Sequence, residues 1–132
     1  MPEVSYHAVV LAALSAFLLG GLWYSPALFA NKWVALTGQS EEKLKSGSMA
    51  MIFGGAFLMN LIAAYAFASF VGPHPAIKPA AIMGFVTGLC LVTASLGLNY
   101  LFERRPLGLW LINGGYFTLQ FTLYGVILGA MG

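Results

Sequence analysis

Phe102-Glu103-Arg104-Arg105-Pro106 is the stretch from which the chain can be oriented. It holds three charges of a total of six Lys and Arg and four Asp and Glu, and it lies between two apolar runs, Ala80 to Leu101 and Leu107 to Met131. Water-seeking groups pinned between two lipid-seeking segments mark a turn at a membrane surface. The proline then prevents the preceding helix from simply continuing.

Working outward, charged residues make up 8% of the 132 residues, against roughly 25% in an ordinary soluble domain. A hydrocarbon core of about 30 Å needs about 20 helical residues to cross it. Four runs meet that requirement: Val4–Trp23, Met49–Val71, Ala80–Phe102 and Leu107–Met131. They are too long, and too little alternating, for spanning β-strands. The expectation is an all-α, polytopic membrane protein in one domain covering 1–132, with four transmembrane helices at about 4–23, 49–71, 80–102 and 107–131. The first run carries Glu3 and no Lys or Arg before it, so it reads as a retained helix and not a cleaved leader. A short interfacial segment is expected at about 26–37, where Phe29, Trp33 and Leu36 recur on one face opposite Asn31 and Lys32. Ser25 is placed as its N-cap with Pro26 at its first position, Gly38 as its stop, and Ser48 as the cap of the second run. Ser40-Glu41-Glu42-Lys43 reads as a further capped turn, and Gly72 to Pro79 as a non-helical connector.

Charge placement orients the chain. Lys32, Lys43, Lys45, Arg104 and Arg105 fall on one side of the four runs and Lys78 on the other. By the positive-inside rule the first group is cytoplasmic and both termini lie outside, which in the expected inner membrane is the periplasmic side. Nothing in this charge pattern suits a nucleic acid. Cys90 is the sole cysteine and is expected to pack inside a helix. His7, His74 and Glu3 make too poor a ligand set for a metal, and no cofactor or catalytic motif is present.

Two polar constellations stand out. The first gathers Trp23, Tyr24, Asn99, Glu103, Arg104, Arg105 and Asn113 on the cytoplasmic side. Either it forms a pocket in which Glu103 and an arginine grip an ion or anionic group, or it is a topology anchor whose Arg104, Arg105 and Lys32 hold lipid headgroups. Glu103 should be neutralised by Arg104, Arg105 or Lys32. The second is Asn60, Asn113 and Gln120, joined by Tyr116 and Tyr124 at membrane depth. These groups either line a solute path or fix helix registry. Gly84 and Gly88, with Ser95 and Asn99, share one face of the third run at 100° per residue. The fourth run carries two stripes: Asn113, Tyr116, Gln120 and Tyr124 on one face, and Gly114, Thr118, Thr122, Gly125 and Gly129 on another. Gly84, Gly88, Gly125 and Gly129 suit close helix packing. Two stripes on one helix suggest two neighbours, hence a homo-oligomer in the bilayer; a protein partner is not identified by the sequence.

Leu22-Trp23-Tyr24-Ser25-Pro26-Ala27-Leu28-Phe29 followed by Trp33 and Gly38, and Asn99-Tyr100-Leu101-Phe102-Glu103-Arg104-Arg105-Pro106 followed by Asn113-Gly114-Gly115-Tyr116, resemble the two signatures of a family of small bacterial membrane proteins of unknown function. The resemblance implies a four-helix integral membrane protein and points to Trp23, Tyr24, Ser25, Pro26, Asn99, Glu103, Arg104 and Asn113. It carries no reaction, substrate or cofactor. Two functions follow as alternatives. One is binding or transport of a small solute, ion or lipid through an oligomeric helix bundle, favoured because two polar motifs converge on one side. The other is a structural or accessory protein that assembles with itself or a partner.

Overall fold

The computed structural model describes residues 4–38 and 48–131. The capped turn expected at Ser40–Lys43, and Lys43 and Lys45 of the charge tally, lie outside the described residues. Among the described residues the chain is all helix: α1 (Tyr6–Trp23), α2 (Ala30–Thr37), α3 (Met49–Val71), α4 (Ile77–Glu103) and α5 (Leu107–Met131). Four of these, all but α2, are long and apolar enough to cross a membrane. Their outward faces are apolar as well, with Leu18, Met59, Phe70, Leu91 and Leu101 all exposed. A water-soluble monomer does not expose apolar surface on that scale.

Helix α5 is the centre of the molecule, with α1, α2, α3 and α4 all packed against it. Its glycine stripe meets α4. Cβ atoms added to Gly84 or Gly125 would run into the backbone of Phe121 or Ala80, and one added to Gly129 would come within 2.5 Å of the Ile77 Cα. The two backbones therefore touch directly, an approach only glycine permits. Its polar stripe meets α1 and α3. Ala8, Ala12, Ala13 and Ala16 of α1 are fully buried, and they pack with Ala64, Phe67 and Ala68 of α3 and with Tyr124 and Leu128 of α5. Both stripes of α5 are thus occupied within one chain, which removes the reason for inferring a second copy from them.

Helix α4 is not uniformly α-helical: Thr87–Thr93 forms a π segment. Such a segment inserts an additional residue per turn and rotates everything beyond it. The buried face of α4 runs through Ala80, Gly84, Gly88 and Thr93, with Gly97 and Tyr100 half-buried beyond them. Continuing the α-period from Gly88 instead gives Ser95 and Asn99, both of which are exposed. The expected face of Gly84, Gly88, Ser95 and Asn99 is corrected in its second half for that reason. Cys90, expected to pack, is exposed on the outer side of the same segment.

Several local expectations also change. Ser25 does not cap α2. Its Oγ donates to the Leu22 carbonyl at 2.6 Å, satisfying an acceptor in the last turn of α1. The link folds over Trp23, whose ring packs at a tilt of 45° against Phe29 with centroids 4.7 Å apart, and α2 starts only at Ala30. Gly38 ends it in the left-handed conformation with φ 70°, as a C-terminal glycine does. Ser48 does cap α3, accepting from the Met51 amide at 3.2 Å. The connector after α3 is shorter than the prolines suggest. Helix α4 begins at Ile77 and takes Pro79 into its first turn, where a missing N–H has no intrahelical partner to lose.

Candidate functional site

The end of α1, the end of α4 and the start of α5 meet around Asn113. Tyr24, just past α1, donates its hydroxyl to Asn113 Oδ1 at 2.6 Å, and Asn113 Nδ2 donates to the Tyr100 hydroxyl at 2.7 Å. Asn113 is thus held from both sides with its amide orientation fixed. Burial pushes the Tyr24 hydroxyl above its ordinary pKa, with Tyr116 and Tyr100 adding to the effect, so it stays a protonated donor. Trp23 braces the corner from outside, its indole Nε1 donating to the Ile112 carbonyl at 2.9 Å while its ring covers Gly115.

Deeper along α5, Tyr116 donates to the Ala16 carbonyl of α1 at 2.9 Å and its ring meets Tyr24 edge-on, centroids 5.6 Å apart. One turn further, Gln120 Nε2 donates to Asn60 Oδ1 at 3.0 Å and to the Tyr124 hydroxyl at 2.6 Å. The Tyr124 hydroxyl in turn donates to Asn60 Oδ1, and Asn60 Nδ2 donates to the Ala56 carbonyl at 3.2 Å. Because Asn60 Oδ1 receives both donors, the Gln120 amide must present its nitrogen to it. Gln120 Oε1 then points away, buried and without a donor. An orphaned buried acceptor of this kind costs about 1–3 kcal/mol.

Two clefts meet at Tyr24. The larger, of about 770 Å³, lies between α1, α3 and α5. Phe17, Gly20, Ile52 and Phe53 wall it, and Asn60, Tyr116 and Tyr24 supply its polar groups. The second, of about 550 Å³, lies beneath α2, with Trp33 and Val34 on one side and Tyr24, Tyr100 and Asn113 on the other. Both volumes fall in the range of small-molecule sites. Among the described residues, no formally charged side chain lines either cleft.

Of the residues singled out in the sequence, Trp23, Tyr24, Asn113 and Tyr116 come together, and Asn60 and Gln120 form a second cluster beside them. Ser25 is turned back onto α1. Asn99, Glu103 and Arg104 do not join the cluster: all three are exposed, carried outward by the π segment's rotation of α4. Glu103 is neutralised by Arg105, whose Nε lies 2.8 Å from Glu103 Oε1. Lys32 is exposed on the outer face of α2. Tyr100, Thr93 and Gly97 take the positions on α4 that the α-period gives to others, and Trp110 of α5 packs over them. Thr93 Oγ1 donates to the Gly114 carbonyl at 3.0 Å, and Trp110 Nε1 donates to the Thr93 carbonyl at 2.8 Å over Gly97. The only sequence signal for them is a phase shift: small or polar residues at Gly88, Thr93 and Gly97 are spaced by five and then four.

The family model described as "Protein of unknown function (DUF1761)" matches residues 7–129, nearly the whole chain and every helix above. The chain belongs to this family. Its match runs through both the Trp23–Tyr24 corner and the Asn113 stretch. No curated protein and no solved structure matches the chain.

Proposed function

We propose that this membrane protein binds a small uncharged amphiphile or solute in the cleft between α1, α3 and α5. The observation that carries the reading is the cleft's division into an apolar mouth and a polar end. Phe53, Ile52 and Gly21 at its mouth are exposed on the outer surface of the helices, so entry is sideways from the bilayer. Asn60, Tyr116 and Tyr24 at the inner end are uncharged hydrogen-bonding groups, held in place by Gln120, Tyr124 and Asn113 behind them. In hydrocarbon, polar groups persist where they face one another or a wet or liganded cavity. With no charge among the described residues of its walls, the cleft suits a neutral headgroup better than an ion.

The wider setting belongs to the same proposal. The membrane is the cell's inner one, with the Tyr24–Asn113 end cytoplasmic and both termini outside, following the distribution of Lys and Arg. The reading does not depend on a homo-oligomer, because one chain supplies the whole cleft.

Native mass spectrometry of the protein released from nanodiscs made with its host's lipids tests the reading, with Ala56→Trp as the comparison. Ala56 lines the cleft and is exposed, so a large side chain there fills space without breaking the polar network. One reproducible uncharged adduct on the wild type, lost in Ala56→Trp at unchanged thermal stability, supports the proposal. Equal adducts on both proteins, or none on either, removes it.

A further inference from the structure

A separate groove runs along the outside of the Glu103–Pro106 turn, between the last turns of α4 and the first turns of α5. It encloses about 420 Å³, and its walls are almost wholly apolar, with Leu98, Leu101, Leu107 and Trp110 among them. Leu98, Leu101 and Leu107 are all exposed, so the groove lies open to whatever surrounds the helices. Among the described residues, Arg105 is the one charged residue that lines it. Its guanidinium stands 5.7 Å from the centre of the Tyr100 ring, itself part of the wall, and its Nε is held by Glu103. Stacking and ion pairing together fix a long side chain that would otherwise lose much rotamer entropy on binding. The Nε edge faces Glu103, and the guanidinium has two further nitrogens with which to bind.

We propose that this groove holds one anionic phospholipid, with its phosphate on Arg105 and an acyl chain laid along Leu98, Leu101 and Trp110. Charge complementarity selects the occupant. Arg105 offers the groove two guanidinium nitrogens beyond the one paired with Glu103, and these suit a phosphodiester whose headgroup is uncharged, whereas a zwitterionic lipid would bring its own cation beside the guanidinium. Arginine is also the side chain best shaped to hold phosphate oxygens in a fork. The apolar wall adds what a free phosphate would not use. Gly97 shapes the site: a Cβ there would come 2.7 Å from Trp110 Nε1, so glycine lets the indole lie flat across α4 as the back of the groove. The site shares no wall with the α1–α3–α5 cleft, so the two proposals stand or fall separately.

The test is native mass spectrometry of the full chain released from nanodiscs containing equal parts phosphatidylglycerol and phosphatidylcholine. Arg105→Gln and, as a control for general surface charge, Arg104→Gln are measured beside the wild type. The wild type should retain one phosphatidylglycerol with a preference over phosphatidylcholine that falls about tenfold in Arg105→Gln and less than about twofold in Arg104→Gln. Thermal unfolding in detergent confirms that both variants are folded; if Arg105→Gln is not, Arg105→Lys replaces it and should show a smaller loss of preference. Equal retention of the two lipids by the wild type would overturn the proposal. So would equal losses in the two glutamine variants, which would mean diffuse attraction to the surface. Displacement of the bound lipid by millimolar inorganic phosphate would also overturn it, because the groove would then contribute nothing.

Discussion

Thr93 of α4 and Gly114 of α5 are joined across the tightest helix interface by a hydrogen bond of 3.0 Å from Thr93 Oγ1 to the Gly114 carbonyl. The same carbonyl accepts Thr118 Oγ1 at 2.8 Å. Thr93 reaches this position only because the π segment Thr87–Thr93 carries it onto the face that Gly84 and Gly88 began. Local backbone irregularity and helix–helix bonding are one feature here.

The first prediction concerns that segment. Deleting Leu91, which is exposed within it, removes the additional residue and lets both halves of α4 keep their buried faces as a continuous α-helix. Deleting Ile82, in the regular part, turns Ala80 and Ile77 away from α5 by about 100°. Thermal unfolding in detergent should show the Leu91 deletion close to wild type and the Ile82 deletion strongly destabilised. The opposite ranking would mean that the π segment is not an inserted residue.

Glycine contacts give a second prediction. Gly125→Ala drives a methyl into the Ala80 backbone and should cost at least about 1–3 kcal/mol, the usual range for overpacking. Gly54→Ala meets no atom within 4 Å and should be neutral or gain up to about 1 kcal/mol from helix propensity. Unfolding free energies in mixed micelles separate the two.

The all-α architecture was legible because four apolar runs and the Phe102–Pro106 turn report directly on the solvent around them. The partners of α5's two stripes could be read as faces but not as neighbours, since a stripe does not say whether its partner lies in the same chain. Periodicity puts Asn99, Ser95 and Glu103 on the wrong side of α4 for one reason: it assumes constant rise and twist, and one π segment breaks both. Asn113, Tyr24 and Tyr116 were found because polar groups are rare in apolar runs. Tyr100 and Trp110 carry no such signal, because an aromatic near an interface also reads as an anchor.

A third prediction separates the members of the inner network. Asn60→Leu removes the acceptor shared by Gln120 Nε2 and the Tyr124 hydroxyl, leaving Nε2 only the Tyr124 oxygen and the hydroxyl only the Asn60 backbone carbonyl at 3.3 Å, and should cost about 1–3 kcal/mol. Gln120→Leu loses two bonds but also removes the unmatched Oε1, so its cost should stay below about 1 kcal/mol. Equal costs would show that Gln120 Oε1 is satisfied in the membrane.

Tyr24→Phe supplies a fourth. It removes the donor to Asn113 Oδ1 but leaves the ring between the two clefts. Stability should fall by about 0.6 kcal/mol, the typical worth of such a bond in a membrane protein. Any adduct of the large cleft should be retained more weakly. A variant with unchanged adduct retention would remove Tyr24 from the polar end of the site.

The most direct test of the binding cleft is photo-crosslinking in native membranes from a benzophenone amino acid placed at Phe53, in the cleft mouth, with Met59 on the exposed face of α3 as the control position. The crosslinked mass is then read by mass spectrometry. The account predicts one small-molecule species captured at Phe53, absent at Met59 and abolished when Ala56→Trp fills the cleft. The same mixture of bulk phospholipid captured at both positions, indifferent to Ala56→Trp, would contradict it.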